Sequence, residues 1–124
     1  MANEWLRYCR AAKDFEIQDQ TVTVSLPDGR RHRVRVEDAG ETYQLVSVVV
    51  SAAVGDEFAD LPLRTWQRNR GTELVGFRID RKGRLVGMNW VPKAGLVQAE
   101  FQLYMRTLAA ECDRYEFELT GQDA

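Results

Sequence analysis

Read from its first residue, the chain places apolar side chains first at helical spacing and then in strict alternation. Trp5, Cys9 and Ala12 stand at i, i+4 and i+7, with Leu6 and Tyr8 beside them. That spacing predicts a helix over about residues 3–14, preceded by Ala2 or Asn3. Residues 15–20 read as a transition. From Thr21 the period drops to two: Val22, Val24 and Leu26 alternate with Thr21, Thr23 and Ser25, as in a half-buried strand. Pro27-Asp28-Gly29-Arg30 is a turn, because proline presets φ, aspartate bonds nearby backbone and glycine accepts a positive φ. His32, Val34 and Val36 then alternate with Arg31, Arg33 and Arg35, which completes an antiparallel hairpin. A second turn over 37–41 leads to a strand over 42–51. There Tyr43, Leu45, Ser47 and Val49 share one face, and Val46, Val48 and Val50 the other. Apolar residues on both faces predict a central strand, or one whose second face another element covers.

Residues 52–60 carry no clear period. Asp60 is a suitable N-cap and Pro62 fits the first turn of a short helix that carries Leu63, Trp66 and Gln67 and stops near Arg70 at Gly71. Val75, Phe77 and Ile79 define a strand over 74–79, followed by a turn at 80–83. A further strand over 84–91 ends at Pro92, which cannot donate to a ladder. Val97, Phe101, Tyr104, Met105, Leu108, Ala109 and Cys112 form one stripe of a long helix over about 96–114, a pattern that continues toward Tyr115 and Leu119. The predicted fold class is α+β: an antiparallel five-stranded sheet with helices, order α-β-β-β-α-β-β-α, in a single domain spanning 1–124.

Within residues 60–119 lies a run of local cues. A short helix ends in Asn69, Gly76-Phe77-Arg78-Ile79-Asp80 is a strand, Gly83-Arg84-Leu85 follows a tight turn, Val91-Pro92 closes the second strand, and Leu108-Ala109-Ala110 precedes Asp113 in the last helix. In these cues the chain resembles the YbjN-like family of bacterial sensory transduction regulators, which shares the fold of type III secretion chaperones. The resemblance covers residues 15–51 only by pattern. It implies a small, acidic, often dimeric protein that holds another polypeptide, with dimers built around the connecting helix and neighbouring strands. It brings no catalytic signature.

Composition narrows the functional classes. With 44% apolar and 29% charged residues, the chain is that of a folded globular protein. A net charge of −2 gives no strong attraction to nucleic acid. The opening residues lack the basic-then-apolar run of a signal peptide, and no apolar stretch approaches a membrane span, so a cytoplasmic location without membrane association is expected. Cys9 and Cys112 form no C-x-x-C and read as buried, reduced thiols. The charge is unevenly placed. Arg64, Arg68, Arg70, Arg78, Arg81, Lys82 and Arg84 make a basic region, and Glu111, Asp113, Glu116, Glu118 and Asp123 an acidic end. Either each is a solvated face, or the two meet within or between subunits.

Catalytic and ligand chemistry is sparse. The single histidine, His32, lies on the apolar side of its strand, and no His/Cys/Asp cluster stands at ligand spacing around it, so no metal is expected. Ser47 and Ser51 are conceivable partners in space, but neither lies in a Gly-x-Ser-x-Gly elbow. Gly71-Thr72-Glu73-Leu74-Val75-Gly76 has two glycines of a Walker spacing, with Phe77 and Arg78 where lysine and serine or threonine belong. No catalytic residue, cofactor site or cofactor is therefore assigned. Tryptophans at element edges remain. Trp5 reads as core, whereas Leu63, Trp66 and Trp90 are candidates for a partner or dimer interface.

The leading expectation is a non-catalytic, chaperone-like module, homodimeric, that holds an extended or partly unfolded polypeptide. One alternative is a regulatory or structural dimer with a folded partner. Another is a small hydrolase or transferase using His32. The partner is a protein or peptide of unknown identity.

Overall fold

A computed structural model describes residues 4–72 and 74–121. Helix α1 (Glu4–Arg10) is followed by β1 (Phe15–Gln18), β2 (Thr21–Ser25), β3 (Arg31–Asp38) and β4 (Thr42–Val50). Then come α2 (Ala52–Gly55), α3 (Leu61–Asn69), β5 (Gly76–Ile79), β6 (Leu85–Pro92) and α4 (Gln98–Thr120). All strands join one antiparallel sheet in the order β1-β2-β3-β4-β6-β5. The α+β class stands, but the sheet has six strands where five were expected.

The additional strand is β1, read from sequence as a transition. Phe15 and Ile17 do alternate with Glu16 and Gln18, but four residues are too few to announce a period. The strand is secured by pairing, Phe15 against Val24 and Ile17 against Val22. Its tight turn needs Asp19 at φ 56°, a backbone region that aspartate tolerates. Helix α1 also ends earlier than predicted. Asp14, inside the predicted helix, is held by Arg106 of α4 through two bonds of 2.8 Å. The unassigned stretch after Ser51 forms α2, whose first turn is capped by the Ser51 hydroxyl accepting from the Val54 N–H at 3.3 Å. The expected helix start at Asn3, the acidic Glu73 and the acidic Asp123 lie outside the described residues.

One face of the sheet is covered. Helix α4 packs Phe101, Met105, Leu108 and Cys112, all fully buried, against the face that carries Val34, Val36, Leu45, Val49, Leu85 and Val91. The Phe101 ring meets Tyr8 of α1 at 5.7 Å and Tyr43 of β4 edge-on at 5.6 Å, so one side chain joins three elements. Val97, expected on this stripe, stands just outside the helix and is exposed. Gly87 of β6 permits the closest approach of helix to sheet. A Cβ there would collide with the Cys112 sulfur, reach Phe77 at 3.0 Å and crowd Leu108 at 3.3 Å. Both cysteines are buried and unbridged, and burial pushes each thiol up to about 12.

Helix α3 docks through Leu61 and Thr65, the latter hydrogen-bonded to the Tyr115 hydroxyl at 3.1 Å. The basic and acidic regions meet within the chain. Arg68 lies 2.7 Å from Glu118 and 3.7 Å from Glu111, stacked over the Tyr115 ring at 4.4 Å. At the end of α3, the Asn69 side chain imitates a neighbouring strand. Its amide donates to the Phe77 carbonyl and accepts the Phe77 N–H, both at 2.8 Å. The outer edge of β5 is thereby occupied at Phe77.

Candidate functional site

The opposite face of the sheet is not covered by α4. Strand pairing places Gln44 opposite Trp90, Val46 opposite Met88 and Val48 opposite Val86 on this face. Trp90 is 55% exposed and Val48 39%, with Val46 and Met88 half-buried. The apolar second face that the sequence marks on β4 is therefore open at Val48 and, across on β6, at Trp90, while Val50 and Val86 are buried. Beside it, Arg31, Arg33 and Arg35 of β3 project from the same face, and Arg31 and Arg35 are held by Glu16 and Glu37 at 3.4 Å and 3.2 Å.

The open face turns into a groove at the β5 edge. The predicted strand over 74–79 begins only at Gly76, because Leu74 adopts φ 65° and breaks the extended run. The ladder consequently stops at Gly76 opposite Met88. Past Met88, no strand among the described residues pairs with the outer edge of β6. A groove of about 490 Å3 opens there, walled by Leu74, Met88, Trp90, Phe77, Arg78 and Tyr104, with Gly76 and Asn89 completing the lining. Asn89 is buried. Its amide nitrogen donates to the Tyr104 carbonyl at 3.3 Å, and its Oδ1 has no hydrogen-bond partner among the described residues. A buried acceptor without a donor costs about 1–3 kcal/mol, which a donor entering the groove would recover. A left-handed, half-exposed leucine and an orphaned acceptor thus share one groove.

Of the three residues singled out from sequence, Trp90 lines this groove. Leu63 and Trp66 do not. They lie on the outer side of α3, 56% and 58% exposed, with Arg70 stacked on the Trp66 ring at 5.1 Å. Leu74, Met88 and Asn89 were missed. Leu74 gave no sign of a positive φ, and Asn89 read as one polar residue in a strand.

The sequence placed no partners around His32; the structure brings two carboxylates to it. His32 is buried under α4, where Asp113 and Glu116 approach its Nδ1 at 3.7 Å and 4.0 Å. The partners stand 81 and 84 positions away in sequence, so no local spacing could announce them. The β3–β4 ladder runs only from Arg35–Val46 to Asp38–Tyr43, and side chains bridge the strands beyond it. His32 Nε2 donates to the Val48 carbonyl at 3.2 Å, and the Ser47 hydroxyl donates to the Arg33 carbonyl at 2.6 Å. Burial holds the His32 imidazole below its ordinary value, against the opposing pull of Asp113. Burial and Asp113 together raise the Glu116 carboxyl.

No family model matches this chain, and no curated protein matches it. Solved structures do. The chain is similar to one in the heterodimeric ExoU–SpcU complex from the type III secretion system of Pseudomonas aeruginosa, with TM-score 0.64, 16% identity, and 98% of this chain and 100% of that one covered. It is also similar to a chain of the ExsC–ExsE complex, with TM-score 0.62, 14% identity and 96% of each chain covered. A third likeness is to the HopA1–SchA chaperone–effector complex, with TM-score 0.57, 14% identity, and 89% of this chain and 88% of that one covered. At such identities the likeness establishes fold, and the protein therefore has the α+β fold found in type III secretion chaperone complexes.

Proposed function

We propose that this protein is a non-catalytic, chaperone-like module that holds an extended or partly unfolded polypeptide at the outer edge of β6. The observation that carries the reading is the groove beyond Met88, where an unpaired strand edge, apolar walls and the orphaned Asn89 Oδ1 coincide. A partner strand laid there would supply main-chain donors and acceptors to β6 and set alternate side chains against Leu74, Met88 and Trp90. The fold of the neighbouring chaperone complexes and the YbjN-like cues support the same reading. The candidate nucleophiles argue in the same direction. The Ser47 proton is committed to a backbone carbonyl, and the Cys112 thiol is sealed beneath α4. The test is a photo-crosslinking amino acid in place of Trp90 in the native cell, with Arg114 as a control position. Cross-links to one partner segment from position 90 and none from 114 are expected. Equal labelling from both positions, or none from either, rejects the groove.

A homodimer through α3 is the second part of the proposal. Leu63 and Trp66 place two large apolar side chains in solvent on one short helix, so Trp66 does not simply pack on its own sheet. Sedimentation at micromolar concentration is expected to give twice the chain mass, and Trp66→Ala to shift it toward monomer with circular dichroism unchanged. A wild type of single-chain mass at every concentration removes this second part.

A further inference from the structure

His32, Asp113 and Glu116 converge from two elements on one point. Asp113 and Glu116 stand at i and i+3 on α4, so they share a helix face, and His32 reaches them from β3. One ligand atom from each lies within 4.8 Å of the other two. With His32 Nδ1 at 3.7 Å and 4.0 Å from the two carboxylates, a point equidistant from all three is no more than about 2.5 Å from each. Zinc bonds to histidine nitrogen and carboxylate oxygen are about 2.0–2.2 Å long, so contraction by a few tenths of an ångström suffices.

The histidine carries the second, independent observation. A carbonyl can only accept, so in the neutral imidazole the bond to Val48 fixes the proton on Nε2 and leaves a lone pair on Nδ1. That lone pair belongs to a side chain only 7% exposed, and it faces two carboxylates at distances too long for a hydrogen bond. In that state acceptor faces acceptor, an arrangement that a cation bound between them would satisfy, as would a proton on Nδ1. A backbone carbonyl orienting the far nitrogen of a ligating histidine is the usual outer support of a metal site. Arg30 provides another support, holding Asp113 Oδ2 at 3.0 Å and leaving Oδ1 toward His32. Access exists as well. A cleft bounded by Thr21, Val46, Val48 and the arginines Arg31, Arg33 and Arg35 reaches His32 and Glu116.

We propose that His32, Asp113 and Glu116 bind one divalent transition ion of the zinc class, one per chain. One imidazole and two carboxylates suit such an ion better than calcium or magnesium, which prefer all-oxygen shells. The ion would fasten β3 to α4, and through the Val48 carbonyl to β4, where the β3–β4 ladder has lapsed.

The probe is cobalt(II), whose visible absorption reports its coordination, followed by zinc in equilibrium dialysis on the full chain. The wild type is expected to take up one equivalent, with zinc raising the melting temperature. Glu116→Gln and His32→Ala are each expected to weaken uptake at least tenfold. Glu111→Gln, an acid on the same helix engaged by Arg68, is expected to leave uptake unchanged. Glu116 is half-buried, so Glu116→Gln reads the site even if His32→Ala fails to fold. Absence of uptake by the wild type overturns the proposal, and so does Glu116→Gln binding as the wild type does. Because the readout is metal uptake, its result is independent of whether the β6 groove holds a polypeptide.

Discussion

The two faces of the sheet are built from the same strands yet differ in what they tolerate. On the α4 side, packing is so close that Gly87 has no room for a methyl group. On the other side, one residue along, Met88 and Trp90 face a surface that no helix among the described residues fills. The contrast separates two uses of apolar residues within one strand. The odd positions of β4 and β6 hold the protein together. Among the even positions Val48 and Trp90 are exposed and Val46 and Met88 half-buried, while Val50 and Val86 join the buried set.

The largest expected effect breaks the covered face. Phe101→Ala removes the ring shared by α1, β4 and α4 and is expected to cost about 3–5 kcal/mol in urea denaturation. A negligible change in midpoint would mean that α4 does not seal that face. Next, Gly87→Ala should cost about 1–3 kcal/mol, because the Cys112 sulfur and the Phe77 ring must both move. Gly76→Ala in the neighbouring strand, where a Cβ meets nothing within 4 Å, serves as the reference.

A smaller effect tests the margin of the covered face. The Arg106 guanidinium holds the Asp14 carboxyl below its ordinary value of 3.8. A depressed carboxyl stabilises the fold above that value and loses its contribution as pH falls through the folded-state value. Both side chains are partly exposed, so Asp14→Asn should cost about 0–1 kcal/mol at neutral pH and flatten the stability profile below about pH 4. An unchanged acid profile would show that the pair is not coupled to folding. The smallest stability effect belongs to the open face. Trp90→Ser should shift unfolding by no more than about 0.5 kcal/mol while weakening binding of the partner polypeptide. A large loss of stability would mean that Trp90 serves the core.

The covered face was legible in the sequence because burial on one side imposes a period. Val22, Val24, Val34 and Val36, and the stripe from Phe101 to Cys112, stand where alternation and helical spacing put them. Turn chemistry was legible for the same local reason: Asp28, Asp38 and Asp80 each accept a nearby backbone N–H ahead of a glycine with positive φ. Features made by distant pairs were hidden. Four residues became β1 only through β2, the groove depends on one backbone angle at Leu74, and His32 gained Asp113 and Glu116 through the docking of α4.

The small amide of Asn69 has a further consequence. An antiparallel sheet with a bare outer strand is a template, since each strand added presents a new bare edge to the next. Here the outermost strand is already met, at both polar groups of Phe77, by a side chain that has no backbone ladder of its own to pass on. On this side of the sheet β6 keeps a short unpaired stretch past Met88, ended by a proline. The proposed partner strand would thus meet a short edge ended by a proline and not a long open template.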